Sequence, residues 1–234
     1  MRVGLIQSNF APWRGYFDFI AECDLFIYHD DLQYTKGDWR NRNRIKTEHG
    51  TEWITVPVHY RTVAQLIHET RIDYTQDWIG RLERRLDACY RKAPLFATLG
   101  TPFLAILHQR FETISQLNIA INAWVMATLG ITTRIMMSRE LNPIGAKSDR
   151  ILDILRKVGA DAYLSGPAAR NYLEESRFAE NGIRLEYKSY DYKPYPQQFG
   201  SFEPQVSVLD MLFNLGAAPR EFWKSATPNV VVGG

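Results

Sequence analysis

The chain has 234 residues, 45% of them hydrophobic and 23% charged, enough to bury one substantial core without a disulfide or a structural metal. Its 28 basic and 26 acidic residues leave a formal charge of +2, which excludes nucleic-acid binding driven by bulk electrostatics and makes any anion site a local one. Cys23 and Cys89 form no Cys-x-x-Cys pair, and no apolar run approaches the roughly 20 residues of a membrane span, so a reducing, cytoplasmic setting with the mature protein starting near Met1 is expected.

In chain order, residues 3–7 read as a short apolar strand, residues 12–22 as a compact Trp-Gly-aromatic segment of helical character, and residues 24–29 as a second strand. Residues 51–58 alternate as a strand should, and Pro57 assigns them to an edge or a strand end. The period then turns helical from about 77 to 129: Leu82, Leu86 and Cys89, then Phe103, Leu104 and Leu107, then Ile114, Leu117, Ile121 and Val125 mark two or three helices. Strands and helices alternate again afterwards, with a strand at 132–137, a helix at 147–158, a strand at 162–164, a helix opening at Pro167, a strand at 184–188 and a last helix at 206–215 closed by Gly216. The pattern predicts an α/β fold, a Rossmann-like open, mainly parallel sheet flanked by helices, with a helical insertion in the middle of the chain. Residues 1–226 make one domain, and 227–234 make a flexible tail without capping or packing pattern.

Polar chemistry is densest in the first sixty residues. Gln7, Asn9, Pro12, Trp13 and Gly15 follow the first strand, and Tyr28-His29-Asp30-Asp31 ends the second; in open α/β sheets these carboxyl ends are where ligands bind. His29, Asp30 and Asp31 are the candidate catalytic residues. The aspartates suit a general base, a magnesium ligand or a pair of acceptors for sugar hydroxyls, and equally a turn cap; being adjacent in extended chain, they point in opposite directions. Gln33 follows, then Trp39-Arg40-Asn41-Arg42-Asn43-Arg44, where guanidinium and amide groups alternate. Arginine forks grip phosphate or carboxylate, so Asn41, Arg42, Asn43 and Arg44 form a candidate sugar- or nucleotide-phosphate site, against the alternative of a loop making ordinary surface ion pairs. The five histidines show no tight metal-ligand spacing, and no metal site is expected.

In the second half, Ser165-Gly166-Pro167 reads as a turn into a helix whose first amides would cradle an anion or simply be capped by Ser165. Lys147 opens another helix, at the end where its charge opposes the helix dipole unless an anion is present. The aromatic and amide-rich stretch around Gln197 suits stacking on a sugar or base, or a packed surface loop. A Walker phosphate loop, a full dinucleotide fingerprint and a serine-hydrolase elbow are absent.

The run Gln7-x-Asn9-x-x-Pro12-Trp13-x-Gly15-Tyr16-Phe17, then Tyr28-x-Asp30-Asp31-x-Gln33-Tyr34, Asn41-Arg42-Asn43-Arg44-Ile45 and Trp53-x-Thr55-Val56-Pro57-Val58, resembles the N-terminal signature of WbqC-like proteins. Ser115-x-x-Asn118, the Lys147 helix, Tyr163-Leu164-Ser165-Gly166-Pro167-Ala168-Ala169 and Ser207-x-Leu209-Asp210-x-Leu212-Phe213 extend the resemblance over nearly the whole chain. Ser8 and Phe10 depart from it, standing where a Pro-Tyr-like or Asn-Tyr-like stretch is expected. The resemblance implies work on surface-polysaccharide (O-antigen) or modified-sugar intermediates: a transferase or ligase that attaches an acyl or aminoacyl group to a sugar nucleotide or amino sugar, in association with other sugar-biosynthesis enzymes. Two other readings stay open, an ATP- and magnesium-dependent adenylating enzyme and a non-catalytic sugar-nucleotide-binding protein.

Overall fold

The computed structural model describes residues 1–232. Strands β1 (Arg2–Ile6), β2 (Leu25–Tyr28), β5 (Arg134–Met137), β6 (Ala162–Ser165), β7 (Arg184–Tyr187) and β8 (Val230–Val231) form one sheet in the order β5-β2-β1-β6-β7-β8. Every pairing in it is parallel except β7 with β8. Strands β3 (Arg42–Thr47) and β4 (Gly50–Thr55) make a separate antiparallel hairpin. Seven α-helices flank the sheet among the described residues: α1 (Arg14–Ala21), α2 (Trp78–Tyr90), α3 (Phe96–His108), α4 (Ile114–Leu129), α5 (Lys147–Lys157), α6 (Glu175–Glu180) and α7 (Val208–Leu215). None of these helices is long and apolar enough to cross a membrane.

The central strands β1, β2 and β6 are buried on both faces, as parallel strands are when helices cover each side, while the edge strands β5 and β8 are more exposed. Val3, Leu5, Leu25, Ile27 and Leu185 pack with Ile151, Leu152, Ile154 and Leu155 of α5 and Phe178 of α6. Phe26, Tyr28 and Leu164 turn to the other face, where α1, α4 and α7 supply Phe17, Ile20, Leu117, Ile121 and Leu212. Gly4 is required at the crossing of β1 and α1, because a Cβ there would lie 2.4 Å from the Phe19 ring.

The arginine-asparagine strip, for which no element was expected, is from Arg42 strand β3, with Arg42 and Arg44 half-buried and Asn43, Ile45, Lys46 and Thr47 buried. Two expectations are corrected. The helix expected at Pro167 is a 3-10 turn, Pro167–Asn171, with α6 beginning only at Glu175. The tail is not devoid of pairing: Val230 and Val231 pair with Tyr187 and Glu186 as an edge strand, while positions 233–234 lie outside the described residues.

Candidate functional site

The direction of chain travel across the sheet reverses at β1. From β1 the chain moves outward to β2 and β5, then returns through α5 to β6 on the other side of β1 and continues outward to β7. The loops that leave the carboxyl ends of β1 and β6 therefore diverge, and in open α/β sheets such a reversal point is where ligands bind.

The loop after β1 is held from several directions. Ser8 N–H donates to Asp30 Oδ1 at 2.7 Å, and Ser115 Oγ donates to Asp30 Oδ2. Asn118 Nδ2 donates to the Arg40 carbonyl at 2.8 Å. Ser115, Asn118 and Asn122 are buried at the i, i+3 and i+7 positions of α4, a polar stripe on an otherwise apolar face. The loop then turns through Ala11, whose φ of 40° is unfavourable for a residue with a Cβ. Asn43 stabilises this turn, with Nδ2 donating to the Phe10 and Ala11 carbonyls at 3.1 and 2.8 Å and Oδ1 accepting from Arg44 N–H. Beyond it, Trp13 packs its ring against Gly15, where a Cβ would come within 2.4 Å of the indole, and lies 5.0 Å from the Tyr190 ring centroid.

Beside this loop is a cleft of about 380 Å³ lined by Asn9, Pro12, Trp13, Trp39, Asn43, Gln205 and Val206. Its far wall is brought in by backbone pairing, since Ser207 N–H donates to the Arg44 carbonyl and Val208 N–H to the Pro12 carbonyl. Trp39 and Trp53 lie 5.3 Å apart, and the guanidiniums of Arg42 and Arg44 stack over Trp53 at 4.1 and 4.8 Å. Two tryptophans, a proline and a valine give apolar walls, and the polar groups between them are carboxamides. This composition suits a ring with hydrogen-bonding substituents.

A second cluster closes the β2–β5 end of the rim. Asp31 accepts from Ser138 Oγ and from Arg150 Nη2, while Arg150 Nε donates to His29 Nε2 at 3.2 Å. Because Nε2 accepts, the proton of neutral His29 is on Nδ1. Burial holds the imidazole below its ordinary value of 6.5; Asp31 pulls it up, and the Arg150 charge pushes it down. A depressed histidine stabilises the fold above its unfolded value and loses that contribution as pH falls through the folded one. His29→Asn should therefore lose less stability than wild type when urea unfolding is followed from about pH 7 to about pH 5, and parallel curves would refute the assignment.

The structure brings Asn9, Trp13 and Asn43 to one cleft, with Arg44 at its edge through Gln205. The β1–β6 pairing sets Gln7 near the strand end that carries Ser165 and Gly166. Asn41 is buried, donating to the Val56 carbonyl, and Gln33 and Lys147 are exposed outside the cleft lining. Gln197 is engaged internally: it donates to Asp210 and the Glu203 carbonyl and accepts from Lys46. Asp210, which Tyr90 and Tyr195 also hydrogen-bond, is pushed up from the usual carboxylate range chiefly by burial. The sequence pattern did not mark Ser138 or Gln205, while Arg40 stood out only as part of the arginine-asparagine strip and Arg150 only as a basic residue at the start of the Lys147 helix. No group of three or more His, Cys, Asp or Glu among the described residues is placed to hold a metal ion.

Over 224 residues the chain is 44% identical to the uncharacterized protein Rv1507c of Mycobacterium tuberculosis (strain ATCC 25618 / H37Rv), covering 94% of this chain and 96% of that one. No solved structure matches. The family model described as WbqC-like protein family matches residues 7–221, a span that runs from Gln7 through the cleft residues to the last helices, and the chain belongs to that family.

Proposed function

We propose that this protein is an enzyme of surface-polysaccharide or modified-sugar biosynthesis that binds a sugar nucleotide in the Trp13–Trp39 cleft and transfers an acyl or aminoacyl group to an amino sugar. The observation that carries the reading is the position of the cleft: it lies beside the loop leaving β1, where the strand order reverses, and it has aromatic walls with carboxamides between them. Arg42 and Arg44, stacked on Trp53 at the cleft edge, are suited to the phosphates. In the transfer, an amine attacks an acyl carbonyl, the leaving group departs and the amine loses a proton. His29, Asp30 and Asp31, one strand away, are the groups assigned to orient the acceptor and handle that proton. Ser165, Gly166 and Gln7 border the same rim and are assigned to a second part of the substrate.

The experiment is thermal unfolding of the purified protein with nucleoside diphosphate sugars, with ATP and magnesium, and with acyl or amino donors. A ligand at a hundredfold excess over its Kd adds about 2.7 kcal/mol, which for a chain of this size raises Tm by roughly 5–10 °C. Stabilisation by a sugar nucleotide that disappears in the Arg42→Ala/Arg44→Ala variant is the expected result. A response to ATP with magnesium alone would favour adenylation instead.

A further inference from the structure

Three carboxamides line the cleft, and their internal partners decide which atoms remain for a ligand. A guanidinium has donors and no acceptor. Arg40 Nη1 donates to Asn9 Oδ1, so Asn9 turns its oxygen to the arginine and leaves Nδ2 for the cleft. Arg44 Nη1 donates to Gln205 Oε1 at 3.4 Å, a long contact at the exposed rim that is of the same sense. Asn43 is fully engaged with the Phe10 and Ala11 carbonyls and the Arg44 N–H. The amides of Asn9 and Gln205 donate to no partner among the described residues, and both sit beside apolar walls. Arg40 is itself mostly buried, its side chain 12% exposed and 3.6 Å from Asp38, which makes it a fixed support.

We infer that the cleft reads hydrogen-bond acceptors: it takes a flat, carbonyl-bearing part of a sugar nucleotide, either a uracil-type base or an N-acyl arm, with Arg40 as the positioning residue that presents the Asn9 amide. This rests on the sugar-nucleotide reading and narrows it. An exocyclic amine or an ammonium in the same place sets donor against donor and is selected against. An amine nucleophile therefore belongs outside this cleft, toward His29 and Asp31.

The test is calorimetric titration with four probes: UDP-N-acetylglucosamine, UDP-glucosamine, UDP-glucose and CDP-glucose. The first two differ in the acyl carbonyl and the last two in the base carbonyl, so the pair that discriminates identifies the occupant. Asn9→Asp keeps the Arg40 contact as an ion pair but replaces the donor by an acceptor; it should weaken the favoured probe about tenfold or more and abolish the discrimination, without lowering Tm. Arg40→Met should abolish the discrimination too, and Arg40→Lys, which also offers only donors, should restore it. If neither pair discriminates, or if Asn9→Asp binds as wild type does, the inference fails while sugar-nucleotide binding stands. If the wild type binds none of the four, both fail.

Discussion

Lys188→Ala is expected to cost about 3–5 kcal/mol of stability, a large part of what holds a domain of this size folded. Lys188 and Asp18 have fully buried side chains, and Lys188 Nζ lies 2.6 Å from Asp18 Oδ2 and 3.4 Å from Glu22 Oε1. Asp18 also accepts from Tyr192 Oη at 2.8 Å and from Ser225 N–H at 2.9 Å, so one carboxylate on α1 joins the segment after β7 to the chain beyond α7. Removing the lysine leaves that carboxylate in a dry interior without its cation. Removing both charges, as in Asp18→Leu/Lys188→Met, should cost much less, because the desolvation of both ions is relieved together. Urea unfolding of the two variants decides it, and a single variant within about 1 kcal/mol of wild type would show that the pair is not desolvated. The pair reaches the cleft as well: Tyr192, which it anchors, packs edge-on against Trp13 at 5.8 Å.

Asn43→Ala should cost about 2–4 kcal/mol and lower ligand affinity in parallel. The buried side chain serves the Phe10 and Ala11 carbonyls and the Arg44 N–H, so its loss removes three hydrogen bonds at the turn where Ala11 has positive φ and leaves the Ala11 carbonyl to Ser207 Oγ alone. That turn sets Pro12 and Trp13, and with it released the cleft wall shifts. Trp13→Ala, by contrast, should reduce affinity with a smaller loss of stability, since Trp13 is only partly buried. Equal stability costs for the two variants would indicate that Asn43 does no more for the turn than an ordinary buried side chain.

The strands and helices that follow hydrophobic period were legible in the sequence. Val3, Leu5, Leu25 and Ile27, and the apolar faces of α2 to α4, stand in the cores where their spacing sends them. Strand β3 was not legible, because a run of arginines and asparagines reads as solvated loop unless the burial of Asn43 is known, and that burial comes from the β1–α1 turn, 32 residues away for its Ala11 contact. The same limit applies to the site. The loop after β1 and the end of β2 were visible as polar residues following apolar runs. The far wall at Gln205 and Val206, and the reach of Arg150 across 119 residues to Asp31, arise from tertiary packing that local pattern does not encode. Asn43 and Gln197 carry ligand-like groups, yet their hydrogen bonds go to the protein itself.

The central claim is that the Trp13–Trp39 cleft holds a sugar nucleotide, and titration of wild type and Trp13→Ala with UDP-N-acetylglucosamine by calorimetry tests it most directly. Saturable binding by the wild type, weakened about tenfold or more in a folded Trp13→Ala variant through the lost ring contact, is the result expected from an aromatic wall. Equal affinity in the two proteins, or no binding of any nucleoside diphosphate sugar by the wild type, would contradict it.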